Sequence, residues 1–174
     1  MLSRAISAVI CVAAATIPLS PALAQTSTIT GGLQVKLEVN ASCEVSGSTT
    51  GGIGSAVLDF GSTSLLLSAI NGTTGISGPQ ALEVLCNPGV AWSAAFNAGL
   101  HATDVANRAM QLQSGTALVR YQLYADAARQ TVLTTATGTG TGTAQAIQVY
   151  GQVPAQDAPP PGNYTDTVTV TVSF

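Results

Sequence analysis

Charged side chains are scarce in this sequence: Asp, Glu, Lys and Arg supply 7% of its 174 residues, and the balance is acidic, at −3. A chain without a basic stripe has no electrostatic footprint for nucleic acid or for an anionic membrane, so neither is expected as a partner. Surface helices and disordered segments both draw heavily on Lys, Glu and Arg, whereas this sequence is rich in Thr, Val, Gly and Ala. That composition reads as strands and turns.

Reactive constellations are equally sparse. The single histidine, His101, stands three residues before Asp104 in a Gly-Leu-His-Ala-Thr-Asp stretch that reads as a loop. No Gly-x-Ser-x-Gly elbow offers a nucleophile, and no second His or close Cys pair completes a metal site. Asp59, Asp104, Asp126, Asp157 and Asp166 stand singly, so no carboxylate pair is legible. The Thr-Gly repeat over 137–143 lacks the strand-to-helix setting and the Lys-Ser/Thr pair of a phosphate cradle, and is expected to be a flexible loop. Trp92 and the tyrosines at 121, 124, 150 and 164 suit a sandwich core better than a sugar-binding face. No catalytic, cofactor-binding or metal site is expected, and the chain does not read as an enzyme.

Long apolar runs are missing after the first two dozen residues. Arg4, an apolar stretch from Ala5 to Ile17, and Ala22-Leu23-Ala24 form the three regions of a secretory signal peptide, with cleavage expected after Ala24. Residues 1–24 are therefore assigned to the signal, and the mature chain would hold 150 residues, a single domain. Cleavage removes Cys11, which leaves Cys43 and Cys86 in an oxidising compartment, where two cysteines usually pair. The alternative is two buried free thiols. A bridge here would remove roughly 4 kcal/mol of unfolded-chain entropy.

What the sequence does have is alternation at period two. Leu82, Val84 and Cys86 share one strand face, and Val90, Trp92 and Ala94 share the next, with Asn87-Pro88-Gly89 as the turn between them. Val119, Tyr121 and Leu123 mark a third strand, and Ile147, Val149 and Val153 a fourth. After Pro159-Pro160-Pro161-Gly162 the last strand, Asn163 to Phe174, puts Val168, Val170, Val172 and Phe174 on one face. Some seven or eight strands of this kind make an all-β sandwich.

One alternating run is too long for that sandwich. Apolar or small residues hold every odd position from Ile29 through Gly31, Leu33, Val35, Leu37, Val39, Ala41 and Cys43 to Val45. Fully extended, the run would reach roughly 56 Å, against roughly 40 Å across a compact domain of this size. The part from about Leu37 to Val45 is expected to be the first core strand, and the part from about Thr28 to Val35 to overhang. A bend near Leu37, letting one strand serve both sheets, is the other possibility.

Several segments together resemble the spore coat protein U family, whose members include the archaic (Csu-type) chaperone-usher pilins. They are NASCEVSG at 40–47, LDFG at 58–61, the strand ending in Cys86, RAMQLQ at 108–113, RYQLYAD at 120–126 and GNYTDTVTVTVSF at the C-terminus. The resemblance implies an incomplete immunoglobulin-like β-sandwich of pilin type, spanning 37–174 and missing its last strand. A periplasmic chaperone would hold it open, and at an outer-membrane usher it would be completed by donor-strand complementation. Residues 25–36 would be the donor segment, with Ile29, Leu33 and Val35 filling a neighbour's groove and Gly31 over a shallow pocket. Cys43 and Cys86 would form the disulfide, and Val168, Val170, Val172 and Phe174 would form one wall of the acceptor groove. The implied partners are other copies or related pilins, the chaperone and the usher, with no cofactor. The implied place is a fimbrium on the cell surface, reached through the periplasm and serving adhesion and biofilm formation. A spore-coat-type or sugar-binding secreted β-sandwich is the competing reading.

Overall fold

The computed structural model describes residues 27–45, 56–76 and 81–174, and the chain divides into two compact units, Met1–Leu37 and Glu38–Phe174. The expected signal peptide, 1–24, lies outside the described residues, as do the first two residues of 25–36. In the first unit, residues 27–37 form neither strand nor helix.

Every regular element described in the second unit is a strand. In chain order they are β1 (Cys43–Val45), β2 (Ile70–Thr73), β3 (Glu83–Cys86), β4 (Ala91–Phe96), β5 (Ala109–Leu112) and β6 (Leu118–Arg120). There follow β7 (Gln122–Tyr124), β8 (Thr135–Thr139), β9 (Gln145–Ala146), β10 (Tyr150–Val153), β11 (Tyr164–Thr165) and β12 (Val170–Ser173). They pair antiparallel in the orders β1-β3-β9, β2-β10-β7, β11-β5-β6 and β12-β4-β8.

Alternation dictates which side chains meet. Val84 and Cys86 from β3, Trp92, Ala94 and Phe96 from β4, and Val119, Tyr121 and Leu123 from the β6–β7 run point into one shared core with Leu66, Leu133, Ile147, Val149 and Val153. The Asn87-Pro88-Gly89 turn joins β3 to β4, with the Val90 amide donating to the Asn87 carbonyl at 3.2 Å. Cys43 stands opposite Cys86 in the β1–β3 ladder, and the two form a disulfide.

Three sequence runs that read as single strands are each divided between two partners. Over 118–124, β6 pairs with β5 and β7 with β10, and the Tyr121 amide between them donates to Arg108 at 3.0 Å. Residues 145–153 pair first with β3 and then with β2 and β7. The C-terminal run pairs through β11 with β5 and through β12 with β4. Short strands that change partner let one extended run serve two sheets.

The Thr-Gly repeat is a correction. Its first half is not a flexible loop but the end of β8, in register with β4, with Gly138 opposite Trp92. A Cβ on Gly138 would lie 2.4 Å from the indole ring, so the glycine is required by close approach rather than by flexibility. Even the turn beyond is tied down: the Gly140 amide donates to Val90 at 2.7 Å and the Gly142 amide to Cys86 at 3.0 Å.

A second correction concerns the first core strand. Its ladder begins at Cys43 rather than near Leu37, and Leu37 and Val39 are 88% and 71% exposed. Alternation records a face suited to burial, whereas a ladder also needs a partner edge.

Candidate functional site

The C-terminal run lies at an edge. On one side β11 and β12 pair with β5 and β4, and on the other neither has a ladder partner among the described residues. Val168, Val170 and Val172 touch the core yet remain half-buried, and Phe174 is 61% exposed. β1 is likewise an edge strand, with Cys43 and Val45 only half-buried over the same core. It approaches β12 without hydrogen bonding to it. Both edges, with incompletely covered apolar faces, are open to pairing with a further strand.

Beside β11 lies a cleft of about 990 Å³, lined by residues 58–66 and 158–165 with Met110, Val119 and Val153. The wall at 58–60 is seated by a glycine pair: Gly72 and Gly151 stand opposite each other in the β2–β10 ladder, and a Cβ on either would meet Leu58 and Phe60 within 3.1 Å. The Tyr164 hydroxyl donates to the Pro160 carbonyl at 2.7 Å, which ties the proline arm to the strand it precedes. LDFG was legible as a motif, but its position as a cleft wall was not, because that depends on glycines far away in sequence.

Between β11 and β12 the run is pinned by Asp166. Its carboxylate accepts from the Leu100 amide at 2.8 Å and from the Tyr121 hydroxyl at 2.5 Å. Burial, and then the bond to Asp166, push the Tyr121 phenol above its ordinary value. Nearby, the fully buried Arg108 guanidinium donates to the carbonyls of Asn97, Val105 and Leu133 and to Gln122 Oε1, at 2.7–3.3 Å. Arg108 was visible in the sequence only as one letter of RAMQLQ. Scarcity was its signal, since one of five cations in such a chain is expected to have a specific place.

The residues expected to act as donors stand apart from this edge in character. Ile29, Leu33 and Val35 are 95%, 89% and 85% exposed, and Gly31 has nothing within 4 Å of a built Cβ. His101 sits in a loop, and the Asp104 carboxylate accepts from the Ala106 amide and Asn107 Nδ2, contacts that lower its pKa, the Asn107 bond foremost. Trp92 and Tyr121 are buried in the core. Among the described residues, no three His, Cys, Asp or Glu side chains gather as a metal site requires.

A model of the Spore Coat Protein U domain matches residues 29–171. The chain belongs to that family. Among solved structures, this spore coat protein U domain is similar to a chain in the crystal structure of the CsuC–CsuE chaperone–tip adhesion subunit pre-assembly complex, from the archaic chaperone-usher Csu pili of Acinetobacter baumannii. The identity is 19% and the TM-score 0.52, over 78% of this chain and 40% of that one. The spore coat protein U chain thus spans less than half the length of its structural relative, and the likeness is one of fold. Among curated proteins, none matches.

Proposed function

We propose that this spore coat protein U domain is the structural subunit of an extracellular fibre, assembled when one copy lends its N-terminal segment to the open edge of the next. The observation that carries the reading is a pairing of unmet needs. One segment presents Ile29, Leu33 and Val35 to water at alternate positions, and the sandwich presents unpaired β1 and β12 edges over a half-covered core. Each large donor side chain buried in that groove contributes about 1.5–3 kcal/mol, and ladder hydrogen bonds set the register.

In this reading residues 25–36 are the core of the donor, and Val168, Val170, Val172 and Phe174 line the acceptor. An open sandwich is aggregation-prone until filled, which supports a periplasmic chaperone as first partner and an outer-membrane usher as the site of exchange. The fibre would lie on the cell surface and serve adhesion and biofilm formation. No step calls for a cofactor or for catalysis.

Deleting residues 25–36 tests this directly. The full mature chain is expected to give a ladder of heat-sensitive oligomers on denaturing gels run without boiling, and the deleted chain only monomer. An undiminished ladder from the deleted chain would overturn the reading.

A further inference from the structure

Two of the tyrosines expected in the sandwich core stand outside it. Tyr124 and Tyr150 neither belong to the core nor pack against it, and both are half-buried. They are directly opposite each other in the β7–β10 ladder, and Thr73 is opposite Tyr150 on the next strand, β2. Residues directly opposite in an antiparallel pair share a face, and Leu123 beside Tyr124 points into the core, so this row lies on the outer face.

About 7 Å along the strands, the next outward row holds Gln152 opposite Asn71. Gln152 Nε2 donates to Asn71 Oδ1 at 3.0 Å. Gln148, two residues before Tyr150, donates from Nε2 to Thr73 Oγ1 at 2.9 Å and to the Thr74 carbonyl at 3.0 Å. These bonds fix the amides yet use only part of each. Gln152 Oε1, Asn71 Nδ2, Gln148 Oε1 and both phenol hydroxyls have no hydrogen-bond partner among the described residues. Gln122, opposite Gln152, is different, since its amide is taken up by Arg108 and by the carbonyls of Val105 and Ala106.

We infer that this outer face of β2, β10 and β7 binds a neutral glycan. A pyranose ring has an apolar C–H face that suits a tyrosine ring, and a rim of hydroxyls, each both donor and acceptor, that suits amides already held in place. The two rows carry no charged side chain. In the loop that follows β7, Asp126 accepts from the Gln130 and Thr131 amides, and Arg129 donates to the Ala127 and Gly151 carbonyls, both at 3.1 Å, so these charges are engaged with backbone. Neither β1 nor β12 pairs with β2, β10 or β7, so the face is separate from the edges proposed to accept a lent strand. The inference does not depend on strand lending. In a fibre, repetition of the face along the polymer would raise avidity about a hundredfold or more.

Affinity electrophoresis of the full mature chain, in native gels cast with galactomannan, hydroxyethylcellulose or alginate, tests the inference. Retardation by at least one of the two neutral polysaccharides is expected. Tyr150→Ala should raise the polysaccharide concentration that halves mobility by at least about tenfold. Tyr150→Phe keeps the ring and should raise it no more than about fivefold, and Gln152→Ala, a smaller change at a half-buried position, by about fivefold. Trp92 emission and the oligomer ladder on unboiled gels should match the native chain in all three variants, which separates loss of the face from loss of the fold or of strand lending. Retardation by neither neutral polysaccharide, or by alginate alone, would overturn the inference. So would retardation that is undiminished in both Tyr150→Ala and Gln152→Ala.

Discussion

At the scale of single residues, the chain uses its few polar anchors where extended runs change partner. Arg108 is buried with no carboxylate in hydrogen-bond contact among the described residues, and its charge is distributed over carbonyls from Asn97, Val105 and Leu133. Desolvation lowers its pKa, but an arginine so bonded remains a cation at any ordinary pH. Tyr121 and Asp166 do the same for the last run, whose pairing passes from β5 to β4 around that contact. The sign of the pH effect follows from the raised phenol. A group that holds its proton more tightly when folded contributes stability fully below its unfolded pKa, about 10, and loses it as pH rises above that value. Stability should therefore fall on the alkaline side. Tyr121→Phe should flatten that limb while costing about 1–2 kcal/mol near neutrality, which urea unfolding across pH 7–11 would measure. An unchanged alkaline limb in the variant would show that another group governs it.

At the scale of elements, strand faces were legible in the sequence and strand partners were not. Val84 with Cys86, and Trp92 with Ala94, were placed on buried faces by period two alone. The same pattern gave no sign that 118–124, 145–153 and 163–174 each divide, because an extended backbone keeps its alternation while its hydrogen-bonding neighbour changes. The Thr-Gly repeat misled for a related reason. Glycine in low-complexity sequence suggests freedom, yet Gly138 is fixed by an indole that only the fold brings near. Gly138→Ala should therefore cost about 1–3 kcal/mol by overpacking against Trp92, with a shift in tryptophan emission. Thr139→Ala, one residue on and exposed, should cost under about 0.5 kcal/mol. Equal costs at the two sites would return the segment to the status of a loop.

On the scale of the whole molecule, the disulfide and the open edge act on the same strand. Cys43–Cys86 closes a loop with a sequence separation of 43 and fastens β1, which has only β3 as a ladder partner among the described residues. Replacing both cysteines by Ser should lower stability by up to about 4 kcal/mol on the chain-entropy account. It should also loosen β1 before it melts the β4–β8 ladder, an order visible in the exchange of their amides. The length argument from sequence set the first core strand too early, since β1 begins at Cys43. Leu37 and Val39 are exposed, as are Ile29, Leu33 and Val35, so under strand lending the lent segment is expected to run to Val39.

Hydrogen exchange across residues 27–39, compared between monomeric and assembled mature chain, tests that account most directly. In monomers these amides should exchange at once, since no ladder holds them. In assemblies the account predicts that alternate amides through Val39 become as slow as those of β12. Rapid exchange throughout 27–39 in the assembled protein would contradict it.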